Sequence, residues 1–150
     1  MNTPADLQRA LNLLPHGADF RFLDRLTKLD PGQSGVGEYQ VRGDEPFLRG
    51  HFPGDPMFPG VLLAEAAAQL AGVVAQSDPQ ILPLKNLKLT ALRQAKILGT
   101  ARPGETIRLE AKLTGRLGNL LQAQATAVVQ DRLILQADLV LSGELAEPSS

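Results

Sequence analysis

Val61-Leu-Leu-Ala-Glu-Ala-Ala-Ala-Gln-Leu-Ala-Gly-Val-Val-Ala75 decides the fold. The stretch is rich in strong helix formers and too long for an ordinary strand, so it predicts a helix. It is apolar almost all the way round. A helix of that kind, in a chain with no segment long enough to span a membrane, is expected to be enclosed by other structure. Immediately upstream, Gly50 to Gly60 holds Pro53, Pro56 and Pro59 with Gly54. Neither a regular helix nor a sheet ladder can run through such a stretch, which predicts a stiff loop feeding the helix.

Downstream, Ile107, Leu109, Ala111 and Leu113 alternate with polar residues, as do Ala123, Ala125, Ala127 and Val129, then Leu133, Leu135, Ala137, Leu139 and Leu141. This period of two marks strands with one buried face, and Pro103-Gly104, Gly118-Asn119 and Gln130-Asp131 mark turns. The small side chains of 123, 125 and 127 leave room for a thick element to pack closely. Between the helix and Pro103 the pattern is less regular. Toward the N-terminus, Thr3-Pro4 opens a short amphipathic helix with Leu7, Ala10, Leu11 and Leu14, stopped by Pro15. Phe20 to Leu29 and Gly35 to Val41 read as strands joined by a turn at Asp30-Pro31-Gly32-Gln33. The tail from Glu147 is expected to fray. The expected class is α+β, one domain over 1–150, with a long central helix wrapped by a curved antiparallel sheet.

Fifteen Lys and Arg nearly balance sixteen Asp and Glu. No broad field therefore draws the chain to nucleic acid or an anionic membrane. The sequence opens without a basic, then apolar leader, and it has no Cys, which excludes disulfides and thiolate metal sites. The expectation is a soluble cytoplasmic protein with no metal site.

Glu65 is the only charged residue between 61 and 75. Burial disfavours an ionised carboxylate, which suits a general acid near neutral pH. Gln69, one turn on, lies where its amide could orient that carboxyl. The plainer alternative is that Glu65 reaches solvent or pairs with a basic side chain. His51 starts the rigid loop, and a titratable imidazole near a desolvated acid is a pattern of paired acid and base roles. Gly60, at the helix start, offers an unpaired backbone N–H that no side chain obstructs, a natural oxyanion donor. His16 reads as a stabiliser of the end of the first helix rather than as a reacting group.

Taken together, Leu48-Arg-Gly-His51-Phe-Pro-Gly-Asp-Pro-Met-Phe-Pro-Gly60-Val-Leu-Leu-Ala-Glu65-Ala-Ala-Ala-Gln69 resembles the signature of the 3-hydroxyacyl-acyl carrier protein dehydratases. The resemblance continues in Leu13-Leu-Pro-His16, Phe22-Leu-Asp24-Arg25 and Pro103-Gly-Glu-Thr-Ile-Arg-Leu-Glu-Ala111, covering nearly the whole chain. It implies a hotdog fold and the conversion of (3R)-3-hydroxyacyl thioesters to trans-2-enoyl thioesters in fatty-acid or related lipid biosynthesis. No cofactor is implied. His51 would take the C2 proton, Glu65 would protonate the departing C3 hydroxyl, and the Gly60 N–H would polarise the thioester carbonyl. The backbone carbonyl of Met57 would hold the imidazole. Glu rather than Asp at 65 resembles the branch that dehydrates without moving the double bond. Phe52, Phe58, Val61 and Leu62 are the expected walls of the acyl tunnel.

The implied partners are a substrate on acyl carrier protein or coenzyme A, and a second copy of the chain, as a homodimer or a trimer of such dimers. The resemblance draws the two catalytic side chains of one site from different subunits. The segment Leu89-Thr-Ala-Leu-Arg93 departs from the family pattern by lacking an aromatic residue and an Asp, and Ala18-Asp19 lacks the usual aromatic-Pro pair. The rival readings are a hotdog acyl thioesterase and a non-catalytic acyl-binding subunit.

Overall fold

In the computed structural model, which describes residues 2–50 and 52–145, the apolar stretch forms α2, Gly60–Gln76. Around it are α1 (Pro4–Leu11) and six strands: β1 (Arg25–Asp30), β2 (Ser34–Gln40), β3 (Lys85–Ile97), β4 (Thr106–Leu117), β5 (Leu120–Val129) and β6 (Arg132–Glu144). They make one antiparallel sheet in the order β1-β2-β4-β5-β6-β3. The strand that follows α2 therefore crosses to the far edge before the β4–β6 meander runs back toward it. This is the hotdog arrangement, with α2 packed against β2 to β6.

The close approach of α2 has a cause in side-chain size. Gly35, Ala111, Ala125 and Ala137 stand opposite one another on four neighbouring strands, forming a row of small residues across the sheet. On α2, Ala67, Ala71 and Ala75 are small and buried too. At Gly35 the fit leaves no room for a side chain, since a Cβ there would lie 2.8 Å from Cγ2 of the buried Val74. Gly35→Ala should cost about 1–3 kcal/mol by overpacking. Val74→Ala in the same chain should return part of it. Urea melts of the single and double variants measure both, and an undiminished Gly35→Ala stability would contradict this packing.

Three strands differ from the sequence expectation. The first strand does not begin at Phe20: Ala18–Phe20 is a single 3-10 turn, and strand pairing starts at Arg25. The reason is that buried Gln69 takes the place of a strand partner here. Its Oε1 accepts from the Phe22 N–H at 2.8 Å, and its Nε2 donates to the Phe20 carbonyl at 2.8 Å. The irregular stretch after α2 contains the thirteen-residue β3. Its pairing with β6 slips register three times, and Asn86 and Gln94 adopt left-handed backbone angles, so its inward positions change phase along the strand. A similar bulge in β6 leaves Leu133, expected to point inward, exposed, and buries Ile134 beside Leu135.

The N-terminal helix carries a capping box between Thr3 and Asp6. Before it, the Asn2 side chain pairs with the backbone of Leu29, donating to its carbonyl and accepting from its N–H at 2.7 Å each, which covers part of the β1 edge. The tail from Glu147 lies outside the described residues.

Candidate active site

Glu65 occupies the second turn of α2, with its side chain 24% exposed. It is therefore at the edge of the dry interior, not sealed inside it. Gln69, one turn along and 2% exposed, donates from Nε2 to Glu65 Oε2 at 3.2 Å. The same amide is locked by the backbone of Phe20 and Phe22, so the carboxyl is oriented by a group that cannot itself turn.

Glu65 lines a cavity of about 310 Å³ that runs between the end of α1, α2 and β3. Gly72 gives it width. Leu87 and Leu89 of β3 and Leu13 and Val73 supply apolar wall. The far end lies near Gln76, roughly 16 Å from Glu65 along a helix rising about 1.5 Å per residue. There the Gln76 side chain donates to the Leu84 carbonyl at 2.7 Å and accepts from its N–H at 3.0 Å, tying the α2–β3 connection across the cavity. Small ligand pockets begin at about this size, apolar with few polar groups.

The expected tunnel residues do not line this cavity. Phe58 is 1% exposed and packs edge-to-face on Phe22 and Phe47, with ring centroids 5.6 and 5.5 Å apart. Val61, on the first turn of α2, is 73% exposed, Phe52 is exposed and Leu62 half-buried. The wall comes instead from β3 and from the segment before His16. Sequence reading missed it because β3 itself was hidden by its bulges; the alternation of Leu87 and Leu89 about Lys88 was the available signal.

The loop before α2 is held by a turn of its own and by ties to residues 101 and 102. Asp55 N–H donates to the Phe52 carbonyl at 3.0 Å, Gly54 takes a positive φ of 78°, and Phe58 N–H donates to the Ala101 carbonyl at 2.7 Å. Asp55 also forms an ion pair with Arg102. Met57 is half-buried within this loop. His51 lies outside the described residues. Gly60 begins α2, and its missing side chain leaves space that Ile97 fills: a Cβ there would sit 2.7 Å from Ile97 Cδ1. The absence of a side chain thus serves packing against β3.

His16 does not perform the helix-end role expected of it. Arg21 does, donating from Nη2 to the Leu11 carbonyl at 2.9 Å. His16 instead lines the cavity, with Nε2 3.5 Å from Glu65 Oε2. Among the described residues no three His, Asp or Glu side chains gather as metal ligands, and no helix is long and apolar enough to cross a membrane.

The sequence comparisons agree on one family. Residues 14–138 match the FabA-like domain model. The chain is 38% identical over 136 residues to the 3-hydroxyacyl-[acyl-carrier-protein] dehydratase FabZ of Chloroflexus aggregans, covering 91% of this chain and 94% of that one. It is 35% identical over 141 residues to the enzyme of the same name from Geobacter metallireducens, covering 93% of each. Among solved structures, the dehydratase heterocomplex ApeI:P from Xenorhabdus doucetiae matches with a TM-score of 0.75 at 16% identity, covering 97% of this chain and 93% of that one. That likeness speaks for the fold.

Proposed function

The chain belongs to the FabA-like family, in the company of the FabZ dehydratases, and on that premise we propose that it dehydrates (3R)-3-hydroxyacyl thioesters to trans-2-enoyl thioesters. The observation that carries this reading is Glu65: a carboxyl oriented by a locked amide at the side of an apolar cavity. The elimination needs a base at C2, an acid at C3 and relief of charge on the thioester oxygen.

His51 takes the C2 proton, and the electron pair of that C–H bond becomes the new C2–C3 double bond. The C3–O bond breaks, and the hydroxyl leaves as water with the proton of Glu65. The Gly60 N–H, at the helix start, receives the charge that builds on the carbonyl oxygen. The Met57 carbonyl steadies the His51 imidazole, and the acyl chain lies along α2 between Gly72 and β3. Glu at position 65 supports dehydration without movement of the double bond. The acyl carrier is acyl carrier protein, with coenzyme A as the competing handle, and the reaction belongs to fatty-acid or related lipid synthesis. A chain with no Cys suits the reducing cytoplasm, where the reading places it.

The working unit in this reading is a homodimer. A single chain already buries α2 from Leu63 to Ala75, apart from Glu65 and Gly72, so the helix itself does not require a second copy. What stays open is the β3 edge, with exposed Leu92 and Ile97, and Val61 at the helix start beside it. A long uncovered edge strand with apolar side chains is a ready site for another chain. A two-fold axis there would bring a partner close to Gly60.

The test is a panel of 3-hydroxyacyl thioesters of graded length on acyl carrier protein and on coenzyme A, followed by mass spectrometry. The expected product is a conjugated enoyl thioester, lighter by one water. Release of free thiol would make the protein a thioesterase, and no turnover of any substrate would make it an acyl-binding subunit.

A further inference from the structure

Three features of His16 bear on how Glu65 works. Its Nε2 stands 3.5 Å from Glu65 Oε2. Its Nδ1 is buried and has no hydrogen-bond partner among the described residues. Its ring stacks on Phe20, with centroids 6.3 Å apart and planes 25° from parallel. A buried N–H without an acceptor is among the rarer defects of folded proteins. The ring proton therefore belongs on Nε2, where a carboxyl oxygen can accept it, and not on Nδ1, where nothing can. A separation of 3.5 Å is longer than a formed hydrogen bond, but contacts of this kind tighten when substrate fills the site.

Gln69 donates to the same oxygen, Oε2. Both N–H groups thus converge on one side of the carboxyl. Among the described residues Oε1 takes no hydrogen bond. When this carboxyl carries a proton, the oxygen toward which both N–H groups point is the accepting one, and the acidic proton stands on the other oxygen.

Resting on the dehydratase reading, we propose that His16 is a positioning residue: with Gln69 it holds Glu65 Oε2 as an acceptor, so that the proton delivered to the leaving hydroxyl is carried on Oε1. As that proton departs with water, negative charge grows on the carboxylate, and the Nε2–H of His16 stabilises it. This help is greatest in the transition state, where the charge is developing. His16 does not touch the reacting carbons and exchanges no proton with substrate.

The experiment compares His16→Phe, His16→Asn and His16→Gln with the unaltered protein, measuring kcat and KM on the 3-hydroxyacyl thioester turned over best. Phe keeps the ring on Phe20 and its volume but has no N–H, and Asn reaches only the place of Nδ1. Both should lower kcat by up to about 100-fold with KM little changed. Gln carries an amide N–H to the place of Nε2 and should restore most of the rate. In the Glu65→Gln background, His16→Phe should cost nothing further, because the two residues act as one unit.

A packing role gives the reverse order, with Phe active and Gln impaired. That order, or equal rates in all variants, or an additive loss in the Glu65→Gln background, overturns the proposal while the dehydratase reading stands. If His16→Phe does not fold, the Asn and Gln pair decides it alone. An unaltered protein that yields no enoyl thioester from any substrate removes the dehydratase reading itself and the proposal with it.

Discussion

His51→Ala and Glu65→Gln should each lower turnover by a factor on the order of 10² to 10⁴, the usual worth of one general base or acid. The two substitutions are chosen so that the loss is chemical. Glu65→Gln preserves size and leaves an amide oxygen to accept from Gln69 Nε2, which now donates at 3.2 Å to the carboxyl. What it removes is the acidic proton. Because Glu65 is partly exposed, its replacement by a neutral isostere leaves no buried charge and no cavity, and thermal melts should stay close to those of the unaltered protein. For His51 the substitution removes the imidazole and leaves the loop's anchors, Phe58 N–H on Ala101 and Arg102 on Asp55, in place. The measurement is the initial rate of enoyl thioester formation alongside a melt. Near-normal rates in either variant would remove that residue from the mechanism.

The second large effect is recovery of activity from two inactive parents. If one site draws His51 from one chain and Glu65 from its partner, a mixed dimer of the two variants places both lesions in one site and none in the other. Random remixing makes about half of the dimers mixed, each with one intact site, so about one quarter of normal activity should return in a two-fold assembly. If both residues of a site come from one chain, every site carries a lesion and nothing returns. Turnover is read after co-refolding, with differently sized tags confirming that mixed dimers formed. Confirmed mixing without recovery would reject the shared site and leave the dehydration chemistry untouched.

Contacts around Glu65 also explain why its neighbours could be assigned only in part from sequence. Gln69 was accessible to reasoning because it shares a helix with Glu65, and helical spacing of four puts two side chains on one face. The amide's other two bonds, to the backbone of Phe20 and Phe22, join residues far apart in the chain and leave no periodic trace. Those bonds also displaced the expected start of β1, since a backbone satisfied by a side chain has no need of a strand partner.

By itself the sequence determined the elements whose pattern is local and unbroken. The helix at 60–76, the meander of β4 to β6 apart from the bulge at Leu133 and Ile134, and the loop before the helix follow from periodicity and from Pro and Gly. The expectation that His51 pairs with Glu65 came from the same stretch of residues, and the family resemblance added the roles of base and acid. Tertiary structure alone decided what depends on chain crossing. β3 runs to the far edge of the sheet and builds the cavity wall; its bulges shift the inward side, so no single period of two marks it. The small-residue row that seats α2 runs across Gly35, Ala111, Ala125 and Ala137, four strands widely separated in sequence. His16 comes against Glu65, forty-nine positions away, only because Arg21 takes over the end of α1 and the turn at 18–20 folds the segment back over α2. Such contacts are fixed by where strands cross and how closely layers pack, and neither quantity is written in the spacing of neighbouring residues.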